Sequence, residues 1–247
     1  MRILIITRSF PPDSGIATIR PAKFAKYLSE LGHDVTVIRS GLIFGVASIE
    51  NSKGLENVRI LSYEGVNSPA ERFERGEQLS KVRKAVAESG AQKSLMKELK
   101  SWLHPLYDTL KFYYSDGWVI SGKIRKIIKA HLRNEHFDVV ISSFSPVGCH
   151  FAGKFAARYF KCKWVADFRD LMDVDKFTWI LQKINGFVQK RYVRQASACL
   201  CVSEGNADYL RRLRGVDAGK IYTLYNGYDV LYKQSNINSD GIEKTLR

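Results

Sequence analysis

The chain has 247 residues, of which 45% are hydrophobic and 26% charged. That is the composition of a folded globule with one large or two small domains, and it excludes a disordered, collagenous or low-complexity chain. Its 39 Lys and Arg against 25 Asp and Glu give a formal charge of +14, and the segment from Arg72 to Arg133 alone carries a surplus of eight positive charges. Such a field attracts polyanions: nucleic acid, anionic lipid or phosphorylated substrates.

The longest stretch without Asp, Glu, Lys or Arg is Val139 to Gly153, 15 residues broken by serines and a proline. It falls short of the roughly 20 apolar residues of a spanning helix. Arg8 interrupts the apolar run Ile3-Leu4-Ile5-Ile6 too early for a signal-peptide core. The expectation is a cytoplasmic protein. The four cysteines form no C-x-x-C pair, and Cys199 and Cys201 fall on one side of a strand, as small buried hydrophobes do. With five scattered histidines, neither a metal set nor a cofactor is expected.

In chain order, Arg2–Thr7 reads as a buried parallel strand, followed by the loop Arg8-Ser9-Phe10-Pro11-Pro12-Asp13-Ser14-Gly15. A helix runs on to the stop at Gly32, and Val35–Ile38 forms a second strand, completing a βαβ unit. Val58–Leu61 is a third strand. From Gln78 to Glu135 the pattern is helical and basic, with breaks near Gly90, Pro105 and Gly117. Strands follow at Phe137–Ile141, Lys163–Ala166, Ala198–Val202 and Ile221–Leu224. Helices are predicted over Val147–Tyr159, Phe177–Gln195 and Glu204–Leu213, the last capped by Ser203. The fold class is α/β, a Rossmann-like doubly wound parallel sheet of about seven strands with a helical insert at 78–135. The domain spans 1–232, and 233–247 reads as a linker or frayed tail.

Ligands of such sheets bind beyond the carboxyl ends of the strands. The first loop lacks both G-x-G-x-x-G and the P-loop pattern, which argues against a dinucleotide or P-loop site. Gly15 before a helix can aim N–H groups at one phosphate or hydroxyl, or it can simply close a proline-stiffened turn. Arg20, one turn into the helix, is either solvated or an anion contact. Ser145-Pro146 can be an N-cap with proline at the first helical position, and the same end can offer donors to a substrate. Asp167-Phe168-Arg169-Asp170 crowds three charges onto one strand end, costly to bury unless paired. Arg169 and Asp170 either form a local ion pair or bind polyol hydroxyls or a phosphate. Asn226-Gly227 signals a turn.

Taken in order, the Pro11-Pro12-x-x-Gly15 loop, Leu31-Gly32-His33-Asp34-Val35-Thr36-Val37, Phe137–Ser143, Asp167-x-Arg169-Asp170, Ala198-x-x-x-x-Val202-Ser203 and Asn226-Gly227-x-Asp229 resemble one family. The chain is similar to the N-terminal, acceptor-side domain of a family-4-like retaining glycosyltransferase of the GT-B fold. The resemblance implies a metal-independent enzyme that moves a sugar from a nucleotide-sugar donor to a glycan or lipid-linked acceptor in bacterial capsule or lipopolysaccharide synthesis. It implies substrate-binding roles for Ser14, Gly15, Arg20, Ser145 and Arg169 and a catalytic role for Asp170. The donor is bound mainly by a second domain, so this chain alone is expected to be inactive. The basic 78–135 insert is expected to meet an anionic membrane surface on the inner face, with no nucleic acid as partner. The alternative reading of the +14 charge is a nucleic-acid-binding or non-catalytic scaffold protein of the same fold.

Overall fold

A computed structural model describes residues 1–13, 15–41, 52–63, 105–173 and 178–227. Its centre is a parallel sheet of seven strands: β1 (Arg2–Ile6), β2 (Asp34–Ser40), β3 (Arg59–Tyr63), β4 (Val139–Phe144), β5 (Lys163–Phe168), β6 (Ala198–Cys201) and β7 (Ile221–Thr223). They lie in the order β3-β2-β1-β4-β5-β6-β7. The topological switch is therefore between β1, which feeds leftward to β2, and β4, which starts the rightward half. Every pair is parallel, with Ile5 beside Val37 on one side and Ile141 on the other. All seven strands expected from the sequence are present, each shifted by at most three residues at its ends, the largest shift being the end of β4 at Phe144 and not Ile141.

Side chains alternate across β1 and split the core in two. Ile3 and Ile5 join Val35, Val37, Ala22 and Ala25 under α1 (Ile16–Glu30). Leu4 and Ile6 join the larger cluster on the opposite face. That face is covered by α2 (Ile120–His131), α3 (Val147–Phe160), α4 (Trp179–Gln195) and α5 (Glu204–Arg211). Gly32 at φ +80° ends α1 where a side chain would be strained. Ser203 caps α5, its Oγ accepting from the Asn206 N–H at 3.2 Å.

Two local expectations need correction. Gly117 does not break the helical run. Residues 105–112 are helical, Tyr113–Val119 widens into a π-helical turn, and α2 continues directly. The turn is held by close docking on α3. A Cβ built on Gly148 would stand 2.5 Å from the Asp116 carbonyl oxygen and 2.8 Å from that of Gly117, so only glycine admits this contact. Second, Ser145 is not the N-cap of α3. Pro146 takes that position in an extended conformation, without a side-chain cap, and the helix opens at Val147. The seven expected strands all lie within the described residues, whereas residues 78–104 and the 233–247 tail lie outside them. No helix among the described residues is long and apolar enough to cross a membrane.

Candidate functional site

The carboxyl ends of β4 and β5 and the segment after β7 meet the amino-terminal half of α1, and a network of hydrogen bonds and one ion pair holds them together. Arg20 is not solvated: it is 6% exposed and Asp167, at the end of β5, is wholly buried. Arg20 Nε donates to Asp167 Oδ1 and Oδ2 at 3.0 and 3.2 Å, and Nη2 donates to Oδ1 at 2.8 Å. Its Nη1 donates to the Leu224 carbonyl at 2.7 Å and to Asn226 Oδ1 at 3.1 Å. Ser143 Oγ, from β4, donates to Asp167 Oδ2 at 2.9 Å, and the guanidinium stacks over Phe24 at 4.9 Å. A buried pair is tolerable only when its remaining donors and acceptors are filled, and here they nearly all are. Asn226 is thus more than a turn residue.

Arg169 does not pair with Asp170. Its Nε donates to the Phe144 carbonyl at the end of β4, at 2.8 Å, and Nη1 donates to the Ala17 carbonyl of α1, at 2.8 Å. The sequence explains the second bond. Pro21 lies inside α1 and has no N–H, so the Ala17 carbonyl four residues earlier loses its helical donor. Arg169 supplies the replacement from another strand. Nη2 carries no recorded hydrogen bond to a described residue, and Arg169 borders a cavity of about 570 Å³. That cavity runs along the outer face of α1 between Ile16, Ile19, Lys23 and Tyr27 on one side and Leu200 and Leu224 on the other.

The other expected site residues sit along the same rim in different settings. Gly15 is the N-cap of α1 with an ordinary φ of −66° and no side-chain cap. A Cβ there would meet nothing within 4 Å, so the residue leaves bare backbone facing open space rather than relieving strain. Ser145 is exposed in the turn between β4 and α3, and Asp170 is exposed just beyond β5. Ser14 lies outside the described residues. Arg20 and Arg169 are brought together by α1; Ser145 and Asp170 occupy neighbouring strand ends, without a recorded contact to either arginine.

Two groups behind the rim escaped the sequence reading. His150, in the first turns of α3, is fully buried among Phe144, Trp164, Phe168 and Tyr192. Its Nδ1 lies 2.8 Å from Ser142 Oγ, which accepts from Trp164 Nε1 at 2.9 Å. Burial pulls its pKa down to about 3, so the ring is neutral at physiological pH. Asp116, in the π-helical turn, is 4% exposed with Oδ1 unpaired. Burial raises its carboxyl to about 6, against the favourable charge of Arg8. The signal available for Asp116 was a lone acid in an apolar, aromatic stretch. Among the described residues no group of three His, Cys, Asp or Glu is placed to hold a metal.

Comparison with known proteins agrees with this architecture. The sequence profile described as Glycosyltransferase Family 4 matches residues 22–230. Among solved structures, Anabaena Alr3699/HepE in complex with UDP and glucose superposes with a TM-score of 0.51 at 14% identity, covering 93% of this chain and 45% of that one. A glycosyltransferase from Rickettsia africae ESF-5 superposes at 0.48 and 16% identity, covering 99% and 48%. The chain therefore spans about half the length of these solved relatives. No curated protein matches it. With the match running over six of the seven strands and the Arg169-bearing end of β5, the chain belongs to Glycosyltransferase Family 4.

Proposed function

We propose that the chain is the acceptor-binding half of a retaining, metal-independent glycosyltransferase. It moves a sugar from a nucleotide-sugar to a glycan or lipid-linked acceptor of a bacterial surface polysaccharide, and it depends on a donor-binding domain outside the 247 residues. The observation that carries this reading is Arg169, locked by two carbonyls at the mouth of a largely apolar cavity, with one guanidinium nitrogen that hydrogen-bonds to no described residue.

Arg169 Nη2 takes a phosphate or sugar oxygen, and Ser145 and Asp170, exposed at the adjoining strand ends, contact sugar hydroxyls, Asp170 being the group nearest the chemistry. The bare amide edge at Gly15, with Ser14, accommodates the donor phosphate or the transferred sugar. Arg20 contributes indirectly, as the strut that fixes α1 against β5 and β7. The apolar lining of the cavity, with Lys23 at its side, supports an acceptor with a lipid portion. Exposed Leu106, Tyr107, Leu110, Tyr114 and Trp118 on the helical run 105–119, beside Lys111, support peripheral contact with an anionic bilayer on the cytoplasmic side.

The test is transfer itself. The 247-residue chain, incubated with a panel of nucleotide-sugars and acceptors, shows no product, and joining it to a donor-binding domain restores transfer. Product formed by the chain alone overturns the division of labour. Arg169→Ala in the joined protein is expected to lower kcat/KM at least tenfold.

A further inference from the structure

The loop after β5 carries both Arg169 and Asp170, and its two ends are held by different parts of the molecule. At the near end, Arg169 ties it to β4 and α1 through the Phe144 and Ala17 carbonyls. Asp170 itself is exposed and makes no recorded hydrogen bond to a described residue. Its place therefore depends on the backbone to either side.

At the far end, α4 and α5 grip that backbone. Gln189 of α4 is wholly buried. Its Oε1 accepts from the Met172 N–H at 2.6 Å, and its Nε2 donates to Asp173 Oδ1 at 2.9 Å. Two turns earlier on α4, Gln182 Nε2 donates to the Asp173 carbonyl at 3.1 Å. From α5, the Tyr209 hydroxyl donates to Asp173 Oδ2. That bond, helped by burial, pushes the hydroxyl up to about 12, so it stays a donor through the neutral range. Gly186 admits the approach, since a Cβ there would stand 3.3 Å from Asp173 Oδ2. A glycine inside a helix and a buried amide both cost stability. What they supply in return is direction, because hydrogen bonds fix the orientation of a loop where apolar packing fixes mainly its distance.

We propose that Gln189, Asp173 and Tyr209 are positioning residues for the transfer reaction, clamping the loop after β5 so that Asp170 and Arg169 meet the substrate in one geometry. The assignment rests on the glycosyltransferase reading above and adds to it three residues behind the site.

Two substitutions test the clamp. Tyr209→Phe removes a single hydroxyl from a residue that is 40% exposed. Gln189→Glu keeps the size and the acceptor for the Met172 N–H, but sets a second carboxylate against Asp173 until it is protonated. Tyr222→Phe, at an exposed position on β7 outside the clamp, is the control. In the 247-residue chain, Tyr209→Phe is expected to speed hydrogen exchange over residues 170–173 about tenfold, with sheet amides and melting temperature as in wild type. The control is expected to leave exchange unchanged. In the protein joined to a donor-binding domain, Tyr209→Phe is expected to lower kcat about fivefold or more, with the KM for nucleotide-sugar unchanged. The deficit of Gln189→Glu is expected to shrink relative to wild type as pH falls from 8 to 5, while that of Tyr209→Phe stays constant. Where Gln189→Glu does not fold, Tyr209→Phe decides alone.

Unchanged loop exchange overturns the clamp. Faster exchange with transfer unimpaired, or a Gln189→Glu deficit indifferent to pH, overturns the positioning role. A kcat loss in Tyr209→Phe that comes with a matching fall in melting temperature makes Tyr209 an ordinary structural residue. Failure of the glycosyltransferase reading shows differently: the joined wild-type protein transfers nothing, and the assignment to transfer falls with it, while loop exchange still responds to Tyr209→Phe.

Discussion

Two buried carboxylates at one edge of the sheet have opposite fates. Asp167 is enclosed by a guanidinium, a serine hydroxyl and, through Arg20, the carbonyl and side chain of the segment after β7. Asp116, one layer away in the π-helical turn, keeps an unpaired oxygen and a carboxyl raised to about 6. The first is a strut that ties α1, β4, β5 and β7 into one rigid edge. The second is held against the preference of its surroundings. Buried charge steadies the architecture when every lone pair is answered, and it costs stability when one is left open.

The sharpest way to break the contrast is to remove the strut's cation. Arg20→Leu leaves Asp167 uncompensated and should destabilise the fold by about 3–5 kcal/mol. Denaturant melts of the variant measure it, and a loss below about 1 kcal/mol would mean that the pair is incidental. The buried histidine behind the strut gives the next largest effect. His150 is depressed from 6.5 to about 3, so the folded form resists a proton that the unfolded chain accepts. Its contribution is complete above pH 6.5 and drains away as pH falls toward 3, by about 3 kcal/mol at pH 4. Replacing His150 with Gln should flatten that acid limb of the stability curve; an unchanged limb would assign it to other groups.

Asp116 has the reverse sign. Its native carboxyl is raised from 3.8 to about 6, so the folded form is favoured while the proton stays on, and this advantage is lost as pH rises between those values. Asp116→Asn should therefore stabilise the fold at pH 8 by about 1–3 kcal/mol, read by calorimetry, with no gain at pH 4. Loss of stability at pH 8 would erase the distinction between the two carboxylates. The smallest effect concerns Pro21. Pro21→Ala restores the N–H that competes with Arg169 for the Ala17 carbonyl, a change of about 1 kcal/mol or less. Its useful readout is the Arg169 Nη1 resonance, which should shift as that bond is shared; an unaltered resonance would deny the exchange.

The strands and their order of use were legible because most are short apolar runs set off by turn or polar residues, and a βαβ unit at the start implies parallel pairing with right-handed crossovers. The positions of Gly32 and Ser203 were legible for the same local reason, a left-handed stop and a hydroxyl cap. The candidate site was readable only as a set of loops. Whether Arg20 was solvated or engaged, and whether Arg169 met Asp170 or something else, depended on residues far away in the chain. Gly117 misled because a glycine inside a helical pattern reads as a break, whereas here it yields a widened turn pressed against Gly148.

What the linear chain determined by itself was the sheet, since alternation, caps and turn residues act over a few neighbours. The chemistry of its edge was decided only on folding. Arg20 finds Asp167 across 147 residues and Arg169 finds the Ala17 carbonyl across 152, pairings that no local preference encodes. They form because burial removes water as a competing partner, leaving each donor only the acceptors that the assembled strand ends bring within reach.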